Sequence, residues 1–186
     1  VRLGLFDGGA NPYASLTPDD INVTAHQALA LRAAREGIVL LENRGLPLSE
    51  STIKSVAVIG PNSNNGPTMQ GVDCHGVPPY LITPVDGIGQ FATVVHADGC
   101  AINSKDTSGF PAAIEAATNA DATVMVMGLD STQEYEMRDR DSLLLPQTQA
   151  ALVHQVAAAA AATQKPAVLA LLCGGVIDVT DFVADE

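Results

Sequence analysis

Two kinds of apolar pattern alternate along this chain. Short β-branched runs, such as Val56-Ala57-Val58-Ile59-Gly60, are too brief for a helix and end at glycine or a polar residue. Longer stretches instead repeat small apolar residues three and four apart. Thr17-Pro18-Asp19-Asp20 opens the first of these, with a capping threonine, a proline in the first turn and two acids at the positive end of the helix dipole. This predicts a helix from residue 17 to about Glu42, stopped by Asn43-Arg44-Gly45 and packing Leu31, Ala34, Ile38 and Leu41 on a core. Leu46-Pro47-Leu48 reads as extended. Strands follow over 56–60, 93–96, 122–127 and 167–173, with alanine-rich helices over 111–119 and 146–163. Residues 61–91 are rich in Gly, Pro, Asn and Asp and read as one long loop, a length that usually carries function or covers something.

Strands alternating with helices predict an α/β fold, a three-layer sandwich with a mostly parallel sheet. The apolar last strand is expected to have neighbours on both sides, so the sheet is read as truncated at its C-terminal end. Residues 1–16 lack periodicity and read as a linker, and 17–186 as the domain proper.

Composition narrows the function. The chain has 186 residues, 47% of them apolar, enough for one globular core. A formal net charge of -12 argues against nucleic acid and anionic membrane surfaces. No apolar run approaches the roughly 20 residues needed to span a bilayer. The chain does not begin with Met and has no signal-peptide pattern, which reads as a fragment or a processed product. Cys74, Cys100 and Cys173 match no metal spacing. Cys173 closes an apolar run and is expected to be buried, whereas Cys74 and Cys100 lie in loop-like sequence, where an oxidising compartment would let them pair. The sequon Asn22-Val23-Thr24 falls within the predicted first helix.

Three features of the sequence bear on chemistry. Val56–Asn62 invites a dinucleotide reading, but it lacks the later glycines of that fingerprint, and no helix opens there to receive a pyrophosphate. Of the four histidines, His26 and His154 read as helix-face residues and His96 as a strand end; His75, beside Asp73, is the one site candidate, and no metal-ligating pair is present. The third motif is the segment after the 122–127 strand. It carries Asp130, Glu134, Glu136, Asp139 and Asp141 with Arg138 and Arg140. Composition alone suits a solvated loop with the arginines balancing some of the acids. Its position suits chemistry, because open α/β sheets bind ligands beyond the carboxyl ends of their strands. Glu134 and Glu136 are two apart, so an extended loop would aim both the same way. Paired carboxylates suit general acid–base work, and a carboxyl group shielded by a partner domain holds its proton to higher pH.

These residues resemble the second domain of glycoside hydrolase family 3, in its β-xylosidase branch. The matching segments are Gly4-Leu5-Phe6-Asp7, residues 25–43, Leu46-Pro47-Leu48, Val56–Asn62, Thr83-Pro84, Gly99-Cys100, Gly128-Leu129-Asp130 with Gln133-Glu134 and Asp139-Arg140, Leu143-Leu144-Leu145-Pro146, and Gly174-Gly175. They occur in family order and cover nearly the whole chain. The sequence departs from the family at Gly71-Val72-Asp73, Pro78-Pro79 and Gln147, and it lacks the cysteine that often follows Cys100.

The resemblance implies a retaining, exo-acting β-glycosidase, most closely a β-xylosidase acting on xylan fragments, without a cofactor or metal. It implies a catalytic barrel upstream on the same polypeptide that carries the nucleophilic aspartate, and secretion from the cell. By position in the motif, the acid/base glutamate is Glu134, with Glu136 as runner-up. Asp139 and Arg140 are implied to hold the loop. The partners implied are an oligosaccharide substrate and the barrel domain, with neither nucleic acid nor membrane. The fragment alone is expected to be inactive. The competing reading is a stand-alone, non-catalytic carbohydrate-binding or structural domain.

Overall fold

The computed structural model describes residues 2, 4, 6, 11–71 and 76–183. The chain divides into two compact units, Val1–Asn43 and Arg44–Glu186.

In the first unit Thr17 caps a 3-10 turn, Pro18–Asp20. Its hydroxyl accepts from the Asp19 amide at 3.3 Å, and its own amide donates to the Asp20 carboxylate at 2.7 Å. The main helix, α1, is Thr24–Gly37. It starts later and stops earlier than the sequence predicts. Gly37 is a poor helix former, and Ile38 and Val39 behind it are β-branched, so the backbone turns extended at Ile38 (φ -73°, ψ 125°). The expected packing of one helix face on a core is also not met: no residue of α1 is buried, and Leu31, Ile38 and Leu41 are 53, 76 and 66% exposed. Asn22 lies in the exposed turn ahead of α1 rather than within a helix.

The second unit is a four-stranded, all-parallel sheet in the order β2-β1-β3-β4. The strands are β1, Ser55–Ile59; β2, Thr93–Ala97; β3, Ala122–Gly128; and β4, Ala167–Leu172. Side chains alternate between faces along each strand. Ala57, Ile59, Met125 and Met127 pack on one face against α4 (Phe110–Asn119) and α5 (Gln149–Ala162) through Ala113, Ala117, Leu152 and Val156. On the other face Val56, Val58 and Val126 meet Leu48, Ile53 and two residues of a short helix, Val85 and Ile88. Helices therefore flank the sheet on both faces. Among the described residues β4 is paired with β3 alone, and it is mostly half-buried.

The predicted long loop over 61–91 contains two short helices: α2, Gly66–Met69, and α3, Pro84–Ile88. The second has a legible signal, since Thr83-Pro84-Val85-Asp86 repeats the Thr-Pro-x-Asp pattern of residues 17–20. Thr83 accepts the Asp86 amide at 3.2 Å, and Asp86 accepts the Thr83 amide at 3.0 Å.

Asp121 fastens the start of β1 to the α4–β3 junction. One carboxylate oxygen accepts from the amides of Lys54 and Ser55, both at 2.9 Å, and from the Ser55 hydroxyl at 3.0 Å. These bonds hold the carboxyl group below its ordinary 3.8, the Lys54 amide contributing most. A depressed folded-state value means that the contribution to stability is fully present above the unfolded-state value and is lost as pH falls through the folded one. Asp121→Asn is therefore expected to lower the unfolding midpoint at neutral pH, and the two curves should converge on acidification below about pH 4. Thermal unfolding against pH tests this; a constant gap at every pH would rule out the linkage.

Candidate active site

Between neighbouring strands β1 and β3 the chain order reverses: from β1 it crosses to β2 on one side and returns to β3 on the other. A parallel sheet opens a crevice at such a switch point, beyond the strands' carboxyl ends. A cleft of about 450 Å³ lies there. Its wall includes Asn62 after β1, Leu129, Asp130 and Glu134 after β3, and Cys173 and Gly174 after β4. The sequence reading buries Cys173, but the structure exposes it, because β4 ends at Leu172 and the thiol follows on the loop.

Glu134 is set by its own loop. Asp130 shapes the turn after β3, taking the Thr132 amide at 2.9 Å on its side chain and the Gln133 amide at 3.0 Å on its carbonyl. Glu134 follows, its amide donating to the Asp130 carbonyl at 3.3 Å. Its carboxylate oxygen Oε2 accepts from Arg140 Nε at 2.7 Å. The arginine is itself fixed, because its other nitrogens donate to the carbonyls of Ser142, at 3.0 Å, and Val176. Arg140 is 10% exposed at the side chain and Glu134 37%. Oε1 of Glu134 has no hydrogen-bond partner among the described residues. The carboxylate is thus gripped by one oxygen and free of hydrogen bonds from the described residues at the other.

Glu136 is differently placed. Tyr135 and Arg138 exchange backbone hydrogen bonds of 3.1 and 2.8 Å, closing a tight turn with Glu136 and Met137 at its tip. Met137 has φ 66° and is 99% exposed. The expectation that Glu134 and Glu136 aim the same way therefore fails, because the chain reverses instead of running extended. Asp139 and Asp141 are exposed, and Arg138 donates to the Thr132 carbonyl at 3.1 Å rather than to an acid. His75, Asp73 and Cys74 lie outside the described residues; Cys100 is a free, buried thiol, pushed up by that burial.

Gly175 is a participant that sequence reasoning quoted only as a motif. A Cβ added to it would collide with both carboxylate oxygens of Glu134. Asn62 is another. It is 1% exposed, and it donates from its backbone to the Val126 carbonyl at 3.3 Å and from Nδ2 to the Leu129 carbonyl at 3.4 Å, while its Oδ1 has no partner among the described residues. A second cavity, of about 750 Å³, lies beside β2, but its aspartates are engaged: Asp98 with His96 at 3.3 Å, Asp106 with Ser108, and Asp130 with Thr132. Among the described residues no group of three His, Cys, Asp or Glu side chains is placed to hold a metal ion, and no helix is long and apolar enough to cross a membrane.

The sequence profile of the glycosyl hydrolase family 3 C-terminal domain matches residues 38–186. The chain belongs to glycosyl hydrolase family 3. Beta-D-xylosidase 1 of Arabidopsis thaliana is 50% identical over 183 residues, 97% of this chain and 23% of that protein. Beta-xylosidase/alpha-L-arabinofuranosidase 1 of Medicago sativa subsp. varia is 40% identical over 184 residues, with 97% and 23% covered. The solved structure of a family 3 exo-beta-xylosidase, XlnD, in complex with a xylobiose aziridine activity-based probe superposes with a TM-score of 0.83 at 40% identity, over 93% of this chain and 22% of that one. This family 3 domain thus spans about a quarter of the length of the relatives it matches. The four-stranded parallel sheet with flanking helices agrees with the α/β expectation.

Proposed function

We propose that this family 3 domain supplies the general acid/base, Glu134, of a retaining, exo-acting β-glycosidase that removes xylosyl units from oligosaccharides. The observation that carries the reading is the split environment of the Glu134 carboxylate. Arg140 holds Oε2, Gly175 leaves room beside both oxygens, and Oε1 has no partner among the described residues, at a cleft on the sheet's switch point. Glu134 would protonate the leaving glycosidic oxygen as its bond to the sugar breaks. The carboxylate so formed would then deprotonate the water that releases the sugar.

A retaining mechanism needs a second carboxyl group about 5–5.5 Å away as nucleophile. Asp130, the other carboxylate lining the cleft, is committed to Thr132, so the nucleophile is assigned to a barrel domain on the same polypeptide. The short coverage of the relatives, about 23% of their length, supports that division of labour. The protein is proposed to act outside the cell on xylan-derived chains. The names of the relatives favour xylose, with arabinose as the neighbouring possibility. The test is the rate of the barrel-bearing polypeptide and its Glu134→Gln variant across glycosides of graded leaving group. Equal losses throughout would refute the assignment.

Gly175→Ala separates site geometry from folding. The atoms that a new Cβ would meet belong to the end of a flexible side chain, so the fold can absorb the change. Stability should shift by about 1 kcal/mol or less. Activity should fall about 100-fold, because the carboxylate must move aside. Paired thermal unfolding and rate measurements check both halves.

A further inference from the structure

The loop that carries Glu134 leaves the sheet at Gly128 and rejoins regular structure at Gln149, the first residue of α5. These two ends meet. Gln149 Oε1 accepts the Gly128 amide at 2.9 Å, and its Nε2 donates to the Gly128 carbonyl at 2.9 Å. The second Nε2 hydrogen goes to the carbonyl of Ile102, also at 2.9 Å, on the connection between β2 and α4. Gln149 is fully buried. Both of its donors and one acceptor position are used, and all serve backbone groups rather than other side chains.

We propose that Gln149 is a positioning residue for acid/base catalysis. It is the clasp that closes the base of the Glu134 loop, and so sets where the Glu134 carboxylate stands against the scissile oxygen. The inference rests on the reading of Glu134 as the acid/base. Gly128 needs such a clasp. Its φ of 140° departs from the strand, and one peptide later the Leu129 amide still donates to the Leu172 carbonyl at 2.9 Å. Without Gln149 the Gly128 amide and carbonyl would be buried and unpaired, and the loop would pivot there to satisfy them. Beyond the Leu129 amide the chain to Glu134 has the turn bonds of Asp130 but no strand pairing, so rotation at the root carries the carboxylate with it.

The experiment uses the barrel-bearing polypeptide with Gln149→Leu, which keeps the bulk and removes all three bonds, and Gln149→Glu, which keeps the acceptor for Gly128. Each is assayed for kcat/KM, which reads the glycosylation step, on xylobiose, whose leaving group needs a proton, and on 2,4-dinitrophenyl β-xyloside, whose leaving group does not. The ratio of the two rates in one sample is independent of how much of the variant is folded. Gln149→Leu should lower the xylobiose-to-dinitrophenyl ratio about 10- to 100-fold, with Gln149→Glu between it and wild type. An unchanged ratio, at whatever total activity, would overturn the positioning role and leave Gln149 a purely structural residue. Glu134→Gln run alongside separates the two readings. If its ratio also stays flat, the Glu134 assignment fails first and the inference falls with it. If its ratio drops and those of both Gln149 variants do not, only the inference fails.

Discussion

Glu134→Gln is expected to cut turnover of xylo-oligosaccharides by about 10²- to 10⁴-fold while sparing the first, glycosyl-transferring step on activated aryl xylosides. The amide is nearly the same size as the carboxyl group, so Arg140 and Gly175 still accommodate it. It has no proton of the right acidity to give. A sugar leaving group departs as a strongly basic alkoxide unless it is protonated, so bond cleavage should become rate-limiting and slow. A dinitrophenolate leaves unaided, so that first step should survive. The second step would still lack its base, and glycosyl-enzyme should accumulate in a burst. Steady-state rates over a leaving-group series, with mass spectrometry of the trapped intermediate, read both steps. Glu136→Gln is the comparison; at an exposed turn tip it should change little. A result in which Glu136→Gln is crippled and Glu134→Gln is active would reverse the assignment.

Gly128→Ala should have the largest effect on stability. An added Cβ would overlap the Leu172 carbonyl group, which is backbone and cannot rotate away. The φ of 140° is strained for any side chain. The same carbonyl accepts the Leu129 amide, and Gly128 itself is bonded through both backbone groups to Gln149. Relief would require β4 to part from β3 or the root of the loop to be expelled. The expected cost is about 4 kcal/mol or more, an unfolding midpoint lower by about 10 °C, or no folded protein at all. Gly174→Ala, two positions past the same edge, meets nothing and has no special φ. It should stay within about 0.5 kcal/mol of wild type. Comparable losses in both variants would show that the clash at Gly128 is relieved by relaxation.

Much of this protein was legible before the fold was known. The runs at 56–60, 93–96, 122–127 and 167–173 became four parallel strands with ends shifted by a residue or so, because a buried strand must be continuously apolar and β-rich over a short span. The alanine-rich helices are legible from apolar residues three and four apart, and the charged loop after the third strand from its composition and position. The first helix was overextended, since periodicity continued through Gly37 while the local backbone preference of Ile38 and Val39 did not. The helix at Pro84–Ile88 was missed, although its capping signal stood in the sequence.

The tertiary structure decided what spacing leaves open. Two glutamates two positions apart are equivalent in a pattern, and the turn between Tyr135 and Arg138 separates them. The room for the Glu134 carboxylate comes from Gly175, and the base of its loop is closed by Gln149 onto Gly128 and Ile102. The strands, the helices of the main layer, the family and the position of the charged loop after the third strand were thus legible in the sequence, because burial repeats with the period of each element and the motifs stand in family order. Only the fold shows that Glu134 lines the cleft while Glu136 stands at an exposed turn tip, and that Gly175 and Gln149 shape the surroundings of that loop. The Gln149 bonds join residues 21 and 47 positions apart through a single side chain and leave no period to read.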